Sequence, residues 1–259
     1  MPHLHRFHIP SEERPTDEVQ LPPEEAHHAL RVLRIREGEA AALFDGSGNE
    51  WIGRVARLTK RDAWVAIETQ RTEEAPSPPL ALAQAWLQRE KALEEIIRRG
   101  TALGVNRFLF FRAARSERAP KTSPKWERLA IETCKQCGRL WLPKFDILPD
   151  IEAVLEDTAG DTLIATASRD PIPLAEALTG GPVTVLVGPE GDFTNGEVAQ
   201  AMQKSAHPIS LGATTFRSEE AATLAAALIR YELGGLGPRF SKSENSRPRI
   251  HDATDPAQH

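Results

Sequence analysis

Residues 183–198 read VTVLVGPEGDFTNGEV. The β-branched run Val183–Val187 has the length and composition of a buried strand. Gly188-Pro189-Glu190-Gly191 then forces a tight turn, and Thr194 or Asn195 offers an N-cap, with Glu190 and Glu197 placed to favour a helix start. A strand running through a glycine turn into a helix is where open α/β sheets hold ligands, because glycine lets a ligand approach the backbone closely. An ordinary strand–helix connection fits the same pattern. A second unit follows: a short strand at Ile209–Leu211, Gly212, and a helix over Ser218–Leu233 capped by Ser218, with Ala221, Leu224, Ala225 and Leu228 as its inner stripe. Arg217 stands just before that helix, where a cation gains nothing from the helix dipole; this points to a paired acid or to a substrate.

Outward from these two units, strands and helices alternate. Leu80–Leu87, Phe108–Phe111 and Thr162–Thr166 read as strands, and Leu174–Leu178 as a short helix. Glu90–Leu103 reads as a helix with Leu93, Ile96, Ile97 and Gly100 on one face, closed by Gly104. Another helix starts at Ser123-Pro124 and carries Trp126, Leu129, Ala130, Thr133 and Cys137 on its inner stripe. Such alternation implies an α/β domain with a largely parallel sheet covered on both faces. The first 72 residues differ. A helix over Glu24–Leu33, ended by Gly38, precedes strands at Ala40–Phe44, Trp51–Leu58 and Ala63–Thr69, with a hairpin turn at Asp45-Gly46-Ser47-Gly48. Short strands with glycine turns suggest a small β-barrel. Residues 71–79, RTEEAPSPP, have linker composition. The expected division is therefore 1–72, 73–236 and a disordered polar tail, 237–259.

Composition bounds the function. No run approaches the ~18 apolar residues of a membrane span, and the N-terminus MPHLHRFHIP lacks an apolar signal segment, so a cytoplasmic protein with no membrane partner is expected. The net charge of −5 hides an asymmetry. Residues 107–144 hold ten Lys/Arg against three acids, and residues 150–210 hold ten acids against two bases. A basic block in an acidic chain suggests a polyanion site; a solvated helix face is the alternative. Arg6, Arg31, Arg34, Arg36 and Arg54 are candidates to face a phosphate backbone, or are scattered surface charges. Cys134-Lys135-Gln136-Cys137 has CxxC spacing but lies within a predicted helix without a completing ligand set, so a packed helix face is the better reading. His3, His5, His8, His27 and His28 lack ligand spacing, and no metal site is expected. GxSxG, Walker, GxGxxG and HExxH motifs are absent.

Taken in order, Val32-Leu33-Arg34, Phe44-Asp45-Gly46, Leu103-Gly104-Val105, Ser116-Glu117-Arg118, Cys134–Arg139, Gly188–Gly191, Leu211-Gly212 and Arg217-Ser218-Glu219 resemble the signatures of the RsmE-type RNA methyltransferases of the SPOUT superfamily. The resemblance runs from about Arg6 to Leu236. It implies a PUA-like N-terminal barrel and a C-terminal SPOUT α/β domain with a deep trefoil knot. It implies S-adenosyl-L-methionine held by loops near Ala165–Ala167, Val187–Gly191 and Leu211–Arg217, with Thr166, Val187, Gly188, Pro189, Glu190, Gly191, Leu211, Gly212, Thr215 and Phe216 as contacts. It also implies a homodimer that methylates N3 of one uridine in the decoding region of 16S ribosomal RNA in the small ribosomal subunit, with Arg6, Arg31, Arg34, Arg118 and Arg139 toward RNA. The chain departs from the family pattern at Ala102 (usually Glu), Asp192 (usually Gly), Glu220 (usually Thr) and Lys91, a basic residue one place early.

Methylation at N3 requires loss of the N3–H proton. Arg217 is the candidate to stabilise the resulting anion at O2 or O4, and Glu190 or Glu219 to take the proton. Glu190 has a structural alternative as a helix-start acid. A non-catalytic RNA-binding protein, or a methyltransferase with another RNA target, are the rival readings.

Overall fold

The computed structural model describes residues 4–10, 15, 17–166 and 171–237, so the polar tail from 238 onward, His3 and Ala167 lie outside the described residues. The N-terminal part forms a five-stranded sheet from β1 (His5–His8), β2 (Glu18–Gln20), β3 (Ala40–Phe44), β4 (Asn49–Leu58) and β5 (Ala63–Thr72), in the order β1-β3-β4-β5-β2. β1 runs parallel to β3, and the remaining pairs are antiparallel. β3, β4 and β5 follow the sequence reading. β1 and β2 do not: each is four residues or fewer and carries polar side chains on most positions, too little for a period-2 signal.

The β3–β4 hairpin is organised by one carboxylate. Asp45 accepts from Ser47 N–H (2.8 Å), Ser47 Oγ (2.6 Å), Asn49 N–H (3.2 Å) and Asn49 Nδ2 (2.7 Å). Burial pushes the Asp45 carboxyl up, but the bonds from Asn49 and Ser47 outweigh it and hold the group below its ordinary value. The predicted helix over Glu24–Leu33 is α1 (Pro23–His27) followed by a π-helical turn over His28–Leu33. It ends at Arg34, which takes the left-handed conformation (φ 54°), and not at Gly38, which serves the turn into β3 by donating its N–H to the Val55 carbonyl.

The C-terminal part is a six-stranded, wholly parallel sheet of β6 (Leu80–Ala85), β7 (Arg107–Phe111), β8 (Lys144–Leu148), β9 (Asp161–Ala165), β10 (Val183–Val187) and β11 (His207–Ile209), ordered β11-β9-β10-β6-β7-β8. Side chains alternate between two cores. Leu82, Phe108, Phe110, Leu163, Val183, Val185 and Val187 pack with Leu93, Ile96 and Ile97 of α2 (Glu90–Ala102), Trp126 of α3 (Lys125–Cys137) and the small residues of α6 (Ser218–Glu232). On the other face Ala83, Leu109, Phe111, Ile164 and Leu186 meet α4 (Ile151–Asp157) and α5 (Asn195–Gln203). Burial on both faces is why these strands read as apolar runs.

β8 and α4 were not legible in the sequence: β8 is an edge strand and only half-buried, and α4 has seven residues. Two helical stripes also fall differently. In α6 the buried positions are Ser218, Ala222, Ala225, Ala226, Ile229 and Arg230, whereas Leu228 is 37% exposed. The face is set by Ser218, whose hydroxyl turns inward and therefore does not cap the helix. In α3 Cys134 is the buried cysteine, its thiol pushed up to about 12 by burial, and Cys137 is exposed.

Residues 134–141 join the two sheets. Cys134 and Leu140 share a cluster with Phe44 of β3. Lys135 Nζ lies 2.9 Å from Glu25 of α1 and 2.9 Å from Glu132. Trp141 donates its indole N–H to the Glu73 carbonyl (3.1 Å), and Glu73 N–H donates to Gly48 O (2.8 Å). The segment of linker composition is thus fastened at its start. Among the described residues no helix is long and apolar enough to cross a membrane, and no group of three or more His, Cys, Asp or Glu residues is arranged to hold a metal.

Replacing Asp45 by Ala removes a charged acceptor from four donors, and urea unfolding should show a loss of about 2 kcal/mol. A group held below its ordinary pKa contributes stability above that value and loses it as pH falls through the folded-state value. The wild type should therefore show an acid-sensitive component below about pH 4 that Asp45→Ala lacks.

Candidate active site

The C-terminal ends of β6, β9, β10 and β11 converge on a cavity of about 650 Å³. Its floor is fixed at Gly188, directly after β10. The Gly188 carbonyl accepts from Ser218 Oγ (2.5 Å) and Gln84 Nε2 (3.2 Å), and that Gln84 amide also reaches Ser218 Oγ (2.9 Å). Gln84 is fully buried at the end of β6 and Ser218 is the first residue of α6, so three distant segments meet at one carbonyl. A Cβ on Gly188 would lie 3.1 Å from Asp192 Oδ1 and 3.2 Å from Phe193 N, which explains the glycine.

The turn beyond it is closed by Asp192 N–H on Pro189 O (3.0 Å). Asp192 adopts φ 60° and accepts from Phe193 N–H through its own Oδ1 (2.7 Å). Left-handed backbone is open to glycine and, among other residues, mainly to Asn and Asp. The departure from glycine here therefore keeps the turn. Thr194, not Asn195, is the N-cap of α5: its Oγ1 accepts from Glu197 N–H (3.2 Å) and Glu197 Oε2 accepts from Thr194 N–H (2.8 Å). Glu190 plays no part in that helix start. Its Oε1 accepts the Gln88 N–H at 3.1 Å instead.

All three candidate catalytic residues, Arg217, Glu190 and Glu219, line the cavity, as do Thr166, Val187, Gly188, Pro189, Glu190, Leu211, Gly212, Thr215 and Phe216. Gly191 does not; it backs onto Arg115, whose Nη1 donates to the Gly191 carbonyl (2.7 Å). The Arg217 side chain is exposed and bonds to no described residue, while its N–H donates to Glu220 Oε2 (3.0 Å). Glu220 is thereby a helix-start acceptor for α6 and stands outside the cavity lining, so this departure touches the helix cap and not the cavity wall.

Glu219 is held differently. Its Oε1 takes a 2.8 Å ion pair from Arg89 Nη2, and its Oε2 is buried with no hydrogen-bond partner. Arg89 lines the cavity and was missed in the sequence, because a lone arginine before a helix carries no motif. Lys91, the basic residue expected near the start of α2, is exposed and away from the cavity; Arg89 is the cation that reaches it.

The five arginines expected to face RNA divide. Arg31, Arg34 and Arg118 are exposed. Arg6 is partly buried, 3.5 Å from the buried Glu50. Arg139 donates to the Thr101 and Val105 carbonyls (both 2.8 Å) at the end of α2, and burial pulls its guanidinium below its ordinary value. Neither of these last two presents a free cation to solvent, because each is engaged where structural elements join.

Comparison with known proteins agrees with this architecture. Residues 73–230 match the family model of an RNA methyltransferase domain, and residues 21–68 match that of an RNA methyltransferase PUA domain. The ribosomal RNA small subunit methyltransferase E of Synechocystis is 29% identical over 221 residues, covering 82% of this chain and 72% of the relative. That of Bacillus subtilis is 25% identical over 237 residues, covering 85% and 92%. The crystal structure of a ribosomal RNA small subunit methyltransferase E from Neisseria gonorrhoeae, bound to S-adenosyl methionine, superposes with a TM-score of 0.80 at 27% identity, covering 88% of this chain and 98% of that one. With more than half its length matched by the catalytic-domain model, and with a loop-lined cavity where that domain's sheet ends, the chain belongs to the RNA methyltransferase family.

Proposed function

We propose that this protein transfers a methyl group from S-adenosyl-L-methionine to N3 of one uridine of 16S ribosomal RNA in the small ribosomal subunit. The observation that carries the reading is the cavity itself. It combines apolar walls from Ala165, Val187, Leu211, Phe216 and Ala221 with the carboxylates of Glu190, Asp192 and Glu219 and the free guanidinium of Arg217. The walls suit an adenine ring, and the carboxylates of Glu190 and Asp192 suit a ligand carrying sulfonium and ammonium charges. The buried, unpartnered Oε2 of Glu219 is a polar group awaiting a partner. When bound, the cofactor supplies an electrophilic methyl carbon.

The chain's own residues must then manage the N3–H proton and the anion it leaves. Arg217 is free to donate to O2 or O4 of the base as negative charge develops there. Between the two candidate bases, the observations favour Glu219. Glu190 is exposed and engaged by the Gln88 N–H, whereas Glu219 is nearly buried with one oxygen uncommitted. The exposed Arg31, Arg34 and Arg118 are suited to flanking phosphates. A homodimer is supported by Leu228, Tyr231 and Leu236, which leave apolar surface on and just beyond α6. A barrel-like N-terminal domain and a trefoil knot belong to the same proposal. The hold of Ser218 on the Gly188 carbonyl, which brings the chain from 210–218 across the β10 turn, is consistent with the knot.

Calorimetric titration should show binding of S-adenosylmethionine and S-adenosylhomocysteine and none of ATP or NAD; the absence of selective binding would favour a purely RNA-binding protein. Arg217→Ala should lower methyl transfer to small subunits by about a hundredfold or more, with cofactor affinity within about threefold of wild type. Ser218→Ala should do the reverse, weakening cofactor affinity by about tenfold as the Gly188 turn loosens, and a variant that binds like the wild type would remove this hydroxyl from loop positioning.

A further inference from the structure

Arg89 enters the cavity from the N-cap position just before α2 and Glu219 from the first turn of α6. Their 2.8 Å contact commits one carboxylate oxygen, Oε1, and leaves Oε2 buried and bare. Arg89 is half exposed and has one terminal nitrogen on Glu219. A guanidinium carries five N–H donors in a planar fork, so others remain free. Side by side, the pair offers an acceptor and a donor.

Uracil offers the complement. Its N3–H is a donor flanked by the O2 and O4 acceptors. Cytosine carries a lone pair at N3, which would face the lone pairs of Oε2. We propose that Arg89 and Glu219 form one reading head for a base with a proton at N3: Glu219 Oε2 accepts that proton, and Arg89 both fixes the carboxylate rotamer and donates to an adjacent carbonyl. The proposal rests on the methyl-transfer reading above and adds to it a positioning residue, Arg89, and a basis for uracil selection.

In the reaction the N3–H bond breaks and its proton passes to Glu219 Oε2. The electron pair left on N3 forms the N–C bond to the methyl group, and the methyl–sulfur bond breaks with its pair remaining on sulfur. Glu219 then returns its proton to solvent. A carboxylate free to rotate would sample poses in which neither oxygen meets N3, and orientation of this kind is what a second ion-paired group supplies.

The test uses the full-length protein and small ribosomal subunits. Wild type, Glu219→Gln, Arg89→Ala and Arg89→Lys are compared by calorimetry with S-adenosylhomocysteine and by single-turnover methyl transfer between pH 6 and 9. Glu219→Gln and Arg89→Ala should each transfer about a hundredfold more slowly, while binding S-adenosylhomocysteine within about threefold of wild type. Arg89→Lys, which keeps the charge but not the fork, should recover about tenfold of that loss. In Glu219→Gln the rate should climb about tenfold per pH unit, because the N3 anion must then form without a base, whereas the wild-type rate should be nearly flat.

Wild-type rates in Arg89→Ala would overturn the proposal. So would a loss of S-adenosylhomocysteine affinity that matches the loss of transfer, since the pair would then be holding cofactor. Failure of the wild type itself to methylate small subunits would instead remove the methyl-transfer reading, and the proposal with it.

Discussion

One carbonyl oxygen organises this molecule. The backbone of Gly188 ends a buried parallel strand, where its C=O would have no ladder partner, and an unmade bond at such a depth costs about 1–3 kcal/mol. Gln84 and Ser218 supply the bonds. Because one donor ends β6 and the other begins α6, satisfying this atom also fixes the three segments whose tips shape the cavity. Glycine also suits this position: a side chain at 188 would press on Asp192 and Phe193, the residues that close the turn. Packing, polar satisfaction and cavity shape are set together at this point.

The second constraint is the junction between the sheets. Cys134, read from sequence as part of a packed helix face, packs there, and Arg6 and Arg139, expected to face RNA, are engaged there instead. Cys134 fills apolar space beside Phe44, Lys135 is buried against Glu25, and Arg139 closes the end of α2. The basic block between 107 and 144 is therefore not a uniform polyanion surface. Part of it compensates buried carboxylates or carbonyls, and part, such as Arg118, stays in solvent.

What the sequence disclosed follows from where its signals are strong. β10 is a five-residue β-branched run buried on both faces, and its limits match the reading. The N-cap at Thr194 was one of two adjacent candidates, and the reciprocal bonds with Glu197 decide it. The turns at Gly188–Gly191 and Gly212 were found as glycine turns, which mark close backbone approach, whereas Thr166, Thr215 and Phe216 came only with the family resemblance. Arg89 and Gln84 were not found, because one precedes a helix without a motif and the other is a polar residue inside an apolar strand. The phase of α6 was misread because alanines fall on every face of it; a buried serine at its first position is bonded across to Gly188 on the face that is buried. The order of the strands along the sheet is a property of long-range pairing and has no local signature.

The fastening of Glu73 by Trp141 and Gly48 has a consequence for how RNA is met. A chain with a loose tether between its two parts would search for its target with each half independently and gain mainly in local concentration. Here the stretch that looks like a tether is stitched to both neighbours, so the N-terminal sheet and the cavity keep one spacing. The molecule behaves as a caliper. On the methyl-transfer reading proposed above, such a body suits nucleic acid already folded to the right span, and a strand that must be bent or unfolded to reach both jaws carries that deformation cost itself.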